Sequence, residues 1–309
     1  MFPDYLTIPA AELGQGTPVK VRVLGDMASI ARDVAEAMRE EILRAQREGR
    51  AATLIVPVGP VDQFPILAKM INDERIDCRD VALINMDEYL TDDDQFVPAD
   101  HPLSFRGYMD RAFYSLLDPA LAPRTENRVF PDPRDCDAIQ RLIEQRGGVD
   151  ACFGGIGING HIAFNEPPEE PTPDPSQEGK GSGGNVARAA TSATPLLGGA
   201  GGGFSVEQFA ALPTRVLSLA RETRTINSVT VGGGIEVVPR RAVTVGMKEI
   251  LGARRLRFYC NRPWQSAGVR RVLHGPITPA CPASLLRLHS DAMITVADYV
   301  AAPPNIGLR

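Results

Sequence analysis

The residues best suited to chemistry lie in a glycine-rich stretch near the middle of the chain. An apolar segment, Val149 to Phe153, is typical of a buried strand and leads into four glycines within seven positions. Glycine lets the backbone approach a ligand closely, and ligands bind at the carboxyl ends of strands in open α/β sheets. The same stretch carries an imidazole, His161, and a carboxylate, Glu166. An acid–base site and a glycine-rich turn with an incidental histidine both fit this pattern.

Two adjacent carboxylates, Asp87 and Glu88, form a second candidate site. They follow the run Asp80 to Met86, which is too continuously apolar for a sheet with one solvated face. Such a run predicts a central parallel strand covered by helices on both sides. Carboxylates at the end of that strand suit a general base. A helix N-cap or a solvated turn explains the pair equally well from the residues alone.

Both stretches resemble motifs of the glucosamine-6-phosphate deaminases, which share a superfamily with the 6-phosphogluconolactonases. Gly155 to Pro167 matches the family pattern Gly-x-Gly-x-[Asp/Asn]-Gly-His-Ile-[Ala/Gly]-Phe-Asn-Glu-Pro throughout. Asn85 to Tyr89 resembles a second motif of the family, and His101 to Phe105 resembles a third. Val238 to Gly246 resembles a fourth, and the motifs follow the family's order. The resemblance covers roughly Val19 to Val296.

The elements around these motifs alternate between strand and helix patterns. Val19 to Leu24 alternates apolar and polar residues as a half-buried strand does. Asp26 is placed to cap a helix that runs to about Arg47. Strands separated by helices in this way predict parallel pairing with right-handed crossovers. We therefore expect an α/β fold, a Rossmann-like doubly wound, mostly parallel sheet flanked by helices, of the deaminase/6-phosphogluconolactonase type.

One segment interrupts this organisation. Residues 168–205 are rich in glycine, proline, serine and alanine, a composition that buries too little apolar surface to fold by itself. We predict a single α/β catalytic domain over residues 1–309 with a mobile insertion at 168–205. The insertion directly follows the glycine-rich motif, which is where a lid over that motif would lie. A tolerated surface loop is the alternative.

Composition restricts the partners and the location of the protein. The net charge is −5 and no run is dense in lysine or arginine, which argues against a nucleic-acid-binding surface. No apolar stretch approaches the roughly 18 residues of a membrane span, and Met1 to Gly16 lacks the pattern of a signal peptide. Five cysteines without metal-ligand spacing favour reduced thiols. These features predict a cytoplasmic protein with no nucleic-acid or membrane partner.

The resemblance implies a reaction that needs no metal and no redox cofactor. Deamination of an amino sugar phosphate is an aldose–ketose isomerisation that ends with release of ammonia. By resemblance, Asp87 is the base that moves a proton between C2 and C1. His161 assists ring opening, and Glu166 sets its charge and tautomer. Asn159 lies where relatives carry Asp or Asn, and an amide orients a histidine but cannot stabilise an imidazolium by charge.

The expected phosphate end departs from the family pattern. The family loop Thr-Gly-[Gly/Ser]-[Thr/Ser]-Pro is here Val58 to Asp62, and Val229 stands where the family has Arg after Asn-Ser. The family also has a Lys at the start of a late helix, and this chain has Gln265 at that position. Hydroxyls, backbone amides and cations hold a phosphate dianion, so their joint loss suggests a changed substrate. Arg262 either replaces one lost cation or is a surface arginine. Substrate contacts are expected from Gly59, Glu88, Gly157, Gly160, Arg262 and Gln265.

Three functions stay open at this point. The first is a deaminase-like enzyme acting on an amino sugar or its phosphate, which Asp87, His161 and Glu166 favour. The second is a related isomerase or a lactonase acting on a non-phosphorylated substrate, although a lactonase does not need the Asp87 carboxylate. The third is a non-catalytic, sugar-sensing regulator, which has no use for a proton shuttle. The expected partner is a small sugar or sugar phosphate, and a homo-oligomer is left open.

Overall fold

The chain is described here from a computed structural model covering residues 2–59, 62–168 and 204–307. Two sheets occur in these ranges, a seven-stranded parallel sheet and a three-stranded antiparallel sheet. The large sheet confirms the predicted doubly wound, mostly parallel α/β fold. Nearly all of the predicted 168–205 insertion lies outside the described residues. Within the described residues, no helix is both long enough and apolar enough to span a membrane.

The strands and helices of the described residues alternate along most of the chain. The strands are β1 (Lys20–Leu24), β2 (Thr53–Val56), β3 (Ala82–Asn85), β4 (Asp87–Leu90), β5 (Arg128–Val129), β6 (Ala151–Gly155), β7 (Arg215–Ser218), β8 (Arg241–Thr244), β9 (Leu256–Cys260) and β10 (Ala292–Ala297). The helices are α1 (Met27–Arg47), α2 (Gln63–Glu74), α3 (Phe105–Ala112), α4 (Ala138–Gln145), α5 (Val206–Ala210), α6 (Arg221–Ser228), α7 (Met247–Leu251), α8 (Gln265–His274) and α9 (Asp298–Ala301).

Helix α1 shows how sequence pattern fixes an element at the sheet. The Asp26 carboxylate accepts a hydrogen bond from the Ser29 backbone N–H at 2.7 Å, which satisfies one of the unpaired N–H groups at the start of the helix. Its buried face carries apolar side chains at helical spacing, so the helix packs one stripe into the core and leaves the other in water. That stripe is Ile30, Val34, Met38 and Ile42.

The large sheet has the order β1-β10-β9-β6-β2-β3-β5. From β2 the chain adds β3 and β5 on one side, and it then returns to place β6 on the other side of β2. The direction of winding therefore reverses between β2 and β6. Their carboxyl ends form a topological switch point, where open α/β sheets bind ligands. Val58 and Gly59 follow β2 at this point, and Ile156 and Gly157 follow β6.

The small antiparallel sheet was not anticipated from the sequence. The chain passes from one sheet to the other at Met86, whose N–H donates to Val56 O in the large sheet at 3.0 Å. Its carbonyl accepts from Val245 N beside the small sheet at 2.7 Å. The small sheet has the order β4-β8-β7, with Asp87 opposite Thr244. Asp87 and Glu88 thus follow the carboxyl end of β3, as predicted, but they begin β4 and form neither a helix N-cap nor a solvated turn.

The remaining departures concern the ends of elements. The motif His101 to Phe105 leads into a helical pattern that continues to about Leu117, but α3 ends at Ala112 and a 3₁₀ turn, Tyr114–Leu116, follows it. The sequence pattern over Ala283 to Leu288 also predicts a helix, and the structure has a 3₁₀ helix there, Pro282–Leu288. The second segment supports the glycine-rich motif, because the Ala283 N–H donates to Gly160 O at 2.8 Å.

Candidate active site

A cavity of about 550 Å³ lies at the carboxyl ends of β2, β3, β6 and β9. Six of the ten residues predicted for the site line it, and the other four do not. The lining residues are Gly59, Asp87, Gly157, His161, Arg262 and Gln265. Asn159, Gly160 and Glu166 lie behind this wall and support it, whereas Glu88 serves a different purpose.

Asp87 presents a buried carboxylate to the cavity. Only 7% of the residue is exposed, and none of its hydrogen bonds to the described residues involves the carboxylate oxygens. Burial raises the pKa of Asp87 well above its usual range, and the neighbouring Glu88 charge raises it further. A buried carboxylate without a partner destabilises a fold, and perturbed groups of this kind cluster at functional sites. Asp87 therefore has the setting of a general base.

His161 is held through one ring nitrogen. Its Nδ1 lies 2.8 Å from Asn159 Oδ1, 3.1 Å from Thr223 Oγ1 and 3.3 Å from Glu166 Oε2. Asn159 Oδ1 also accepts the His161 backbone N–H at 3.1 Å, which orients the amide oxygen toward the ring. Because an amide oxygen only accepts, we assign the proton of the neutral ring to Nδ1. Nε2 is then the nitrogen left to accept a proton from a substrate.

Glu166 supplies negative charge behind the imidazole. Burial acts to raise the pKa of Glu166, but the hydrogen bond and charge of His161 lower it, as do hydrogen bonds from Asn159 and Thr223. The net effect is a lowered pKa, so this carboxylate is ionised at neutral pH. Asn159 Nδ2 donates to Glu166 Oε2 at 2.8 Å and holds it in place. An ionised carboxylate near Nδ1 favours an imidazolium formed during a reaction.

Two glycines of the motif are required by packing. A side chain at Gly157 would place its Cβ 2.1 Å from His161 Nε2, so only glycine lets the ring lie against this turn. Gly160 has φ +88°, and a Cβ there would lie 2.7 Å from Cys281 Sγ. Ala163, which also lines the cavity, has φ +52°. Strain of this kind in a non-glycine residue concentrates at functional sites.

Glu88 is not brought to the cavity. The residue is fully buried, and its carboxylate accepts hydrogen bonds from the backbone N–H groups of Tyr89, Phe105 and Arg106 at 2.9, 3.0 and 2.8 Å. The Ser104 hydroxyl donates to it at 3.1 Å. Adjacent residues of a strand point to opposite faces, so Asp87 and Glu88 cannot both face the cavity. Glu88 instead anchors the first turn of α3.

Helix α6 contributes residues that sequence analysis missed. Thr223 is fully buried beside His161 Nδ1, and the Ala220 N–H before the helix donates to Glu166 Oε1 at 3.3 Å. Asn227 Nδ2 donates to Tyr89 Oη at 2.8 Å across the cavity wall. Two hydroxyl or amide residues four apart on one helix were the available signal. This spacing by itself does not predict a site, because hydroxyl and amide residues are common on solvated helices.

The far end of the cavity, after β9, holds Arg262 and Gln265. Gln265 Nε2 donates to Ile156 O, and its Oε1 accepts from the Arg262 N–H, both at 2.8 Å. This amide ties together the loops that follow β6 and β9. Arg262 is exposed, its guanidinium lies 4.0 Å from Met27 Sδ, and it forms no ion pair with the described residues. Arg262 thus brings an uncompensated positive charge to this end of the cavity.

Sequence comparison places glucosamine-6-phosphate deaminases among the relatives of this chain. The enzyme of that name from Streptomyces avermitilis is 27% identical over 294 residues, covering 92% of each chain. Its namesake from Porphyromonas gingivalis is 27% identical over 258 residues, covering 82% of this chain and 81% of the relative. No protein-family model matches the chain. The resemblance in the motifs is therefore confirmed over nearly the whole chain.

Structural comparison supports the same fold. A monomeric glucosamine-6-phosphate deaminase of the NagB superfamily superposes with a TM-score of 0.70 at 23% identity, covering 92% of this chain and 99% of the other. The 6-phosphogluconolactonase from Thermotoga maritima superposes with a TM-score of 0.58 at 14% identity, covering 91% and 100%. These similarities establish the fold, and the sequence relatives favour the deaminases over the lactonases. The chain is thus similar to glucosamine-6-phosphate deaminases along most of its length, and it has the fold that they share with the 6-phosphogluconolactonases.

Proposed function

We propose that this enzyme converts an aldose amino sugar to the ketose with release of ammonia. The observation that carries the proposal is the meeting of Asp87 and His161 in one cavity. Asp87 is a buried carboxylate with a raised pKa, and His161 is held through Nδ1 so that Nε2 is available. An acid–base pair with different environments suits a reaction in which protons move at two places on one substrate.

Ring opening is the step proposed for His161. The C1–O5 bond breaks while Nε2 accepts the proton of the C1 hydroxyl, and the imidazolium then delivers that proton to O5. Glu166, held ionised beside Nδ1, stabilises the imidazolium between these transfers. Asn159 keeps the ring oriented through its amide oxygen. The product is the open-chain amino aldehyde.

Isomerisation is the step proposed for Asp87. The carboxylate removes the proton from C2 while O1 takes up a proton, which forms an enolamine with a C1–C2 double bond. It then returns the first proton to C1 while the nitrogen loses one. The C2 carbon is then an imine, and addition of water to it releases ammonia and leaves the ketose. The raised pKa of Asp87 suits this role because a stronger base removes a carbon-bound proton more readily. The step is redox-neutral.

The remaining predicted residues have supporting roles in this proposal. Gly59, Gly157 and Gly160 shape backbone that lies at or behind the cavity wall, and Gln265 holds two of its loops together. Glu88 acts only by anchoring α3. We also propose that the chain is one catalytic domain, carrying 168–205 as an insertion, and that it works in the cytoplasm on a small sugar.

Ammonia release tests the proposal. We expect the wild-type enzyme to release ammonia from glucosamine or glucosamine 6-phosphate, and Asp87→Asn to lower kcat at least 100-fold. Asp93→Asn is the matched control, because Asp93 is exposed just beyond β4 and does not line the cavity. Its rate should stay within about twofold of wild type. Equal ammonia release by Asp87→Asn and Asp93→Asn would overturn the assignment.

A further inference from the structure

The charges on the cavity wall restrict which sugar it accepts. Among the described lining residues, Arg262 is the only lysine or arginine, and Asp87 is the only carboxylate. Arg224 on α6 is turned away, because its guanidinium donates to Val238 O and Ile235 O at 3.3 and 2.8 Å. A phosphate dianion is bound tightly where several charge-assisted hydrogen bonds converge. The described wall offers one exposed guanidinium for that purpose.

The polar side chains at the wall are largely engaged with the protein. Ser104 Oγ donates to Glu88 and accepts the Gly107 N–H. The Gln265 amide spans Ile156 O and the Arg262 N–H. Thr230 Oγ1 donates to Asn227 O at 2.7 Å. These groups therefore have little capacity left to surround an anion.

Two exposed apolar side chains, Trp264 and Val229, line the cavity in addition to polar residues such as Asn261, Arg262 and Gln265. Arg262 and Trp264 follow β9, and Asp87 follows β3, which lies three strand spacings away, or about 14 Å. Trp264 is 37% exposed, and Val229, which faces the same cavity from the segment after α6, is 69% exposed. An indole ring and a branched aliphatic side chain suit the C–H face of a sugar better than a dianion.

We propose that the cavity accepts an amino sugar whose C6 end is an uncharged hydroxymethyl group and does not depend on a phosphate there. Trp264 and Val229 pack against that end, and Arg262 donates hydrogen bonds to its hydroxyls. This inference rests on the proposed function, since it identifies the substrate of the same site. A single exposed guanidinium adds at most about fivefold to the binding of a phosphate.

The position of Trp264 allows binding to be measured apart from turnover. It is the only tryptophan of the chain and it lines the cavity, so its fluorescence reports a bound sugar. Asp87→Asn is titrated with glucosamine and with glucosamine 6-phosphate, and calorimetry provides the companion measurement. We expect both sugars to bind, the ester no more than fivefold tighter than the free sugar. Ester binding more than fivefold tighter, or no binding of either sugar, overturns the inference.

Added and removed cations sharpen the test. Arg262→Gln should change the ratio of ester to free-sugar affinity by less than fivefold, and a larger fall refutes the inference. Val229→Arg should raise that ratio above the value for Val237→Arg. Val237 is the control because it is 50% exposed nearby and does not line the cavity. Equal ratios in the two variants would contradict the placement of the C6 end at Val229.

Turnover separates failure of this inference from failure of the proposed function. Ammonia release that strongly favours the ester overturns the uncharged C6 end and leaves the deaminase proposal standing. Absence of ammonia above the Asp87→Asn background from both sugars overturns the deaminase proposal, whichever sugar binds. Release from the free sugar with kcat/KM at least one fifth of the ester value supports both.

Discussion

Replacing Asp87 by Asn should make the protein more stable at neutral pH while it removes activity. The Asp87 carboxylate is 7% exposed and has no hydrogen bond to the described residues. Its charge is therefore buried without compensation, and an amide of the same shape carries no charge. Relief of an uncompensated buried charge is on the order of 1 to 3 kcal/mol. For a chain of this size that corresponds to a rise of roughly 2 to 6 °C in Tm.

The stability difference between Asp87→Asn and the wild-type protein should depend on pH. The pKa of Asp87 is raised in the folded protein above its usual value of 3.8. Between those two values the folded state binds more protons than the unfolded state, so the free energy of unfolding falls as pH rises through this window. The destabilisation of the folded state by the buried Asp87 charge is complete above the raised pKa and disappears below 3.8. The advantage of Asp87→Asn should therefore be largest at about pH 8 and shrink as the pH is lowered.

Urea unfolding of both proteins between pH 8 and pH 5 measures this difference. Glu88→Gln provides a contrast one residue away, because the Glu88 carboxylate accepts five hydrogen bonds and its replacement should destabilise by about 1 to 3 kcal/mol. Opposite signs at two adjacent carboxylates are what we expect. A loss of stability in Asp87→Asn, or a gain that does not vary with pH, would refute the reasoning.

Three further substitutions probe the support of the site and of the fold. Thr223→Val should lower kcat about tenfold and shift its pH profile, because Thr223 Oγ1 lies 3.1 Å from His161 Nδ1. Thr223→Ser keeps the hydroxyl and should recover both. Unchanged kinetics in Thr223→Val would show that Thr223 only packs. Gly157→Ala should lower kcat at least 100-fold with an unchanged circular dichroism spectrum, since its Cβ would lie 2.1 Å from the His161 ring; wild-type activity would contradict the ring position. Arg270→Met should destabilise by about 2 to 4 kcal/mol in urea, because the buried Arg270 guanidinium donates to four backbone carbonyls. Arg271→Met, at a half-buried neighbour whose guanidinium donates to Ala280 O, should cost less than about 1 kcal/mol, and equal losses would refute the role of the buried guanidinium.

Local pattern was sufficient to predict most of the large sheet. The capped amphipathic helix after Asp26 and the fully buried strands β2 and β3 are each encoded within a few residues. The pairing of the small sheet is not local. β8 pairs with Asp87–Leu90 from more than a hundred residues further along the chain, and β7 joins this sheet only through β8. Nothing in those short apolar runs distinguishes antiparallel from parallel pairing.

The candidate site was predictable where motifs place side chains and less so where neighbours decide their direction. Asp87 and His161 line the cavity as the motifs imply. Glu88 does not, because strand β4 turns it toward α3. Thr223 was missed because its proximity to His161 depends on how α6 packs over the motif loop. The side-chain types were visible in the sequence, but their orientation required tertiary packing.

Transfer of a deuterium label within the substrate tests most directly whether Asp87 moves the proton from C2 to C1. The enzyme is supplied with glucosamine and, separately, its 6-phosphate, each deuterated at C2, and the ketose product is examined by NMR. Because Asp87 is almost fully buried, we expect part of the label at C1 of the ketose, together with one ammonia per turnover. Ammonia release with complete loss of the label to water would contradict a buried carboxylate that carries the same proton between the two carbons.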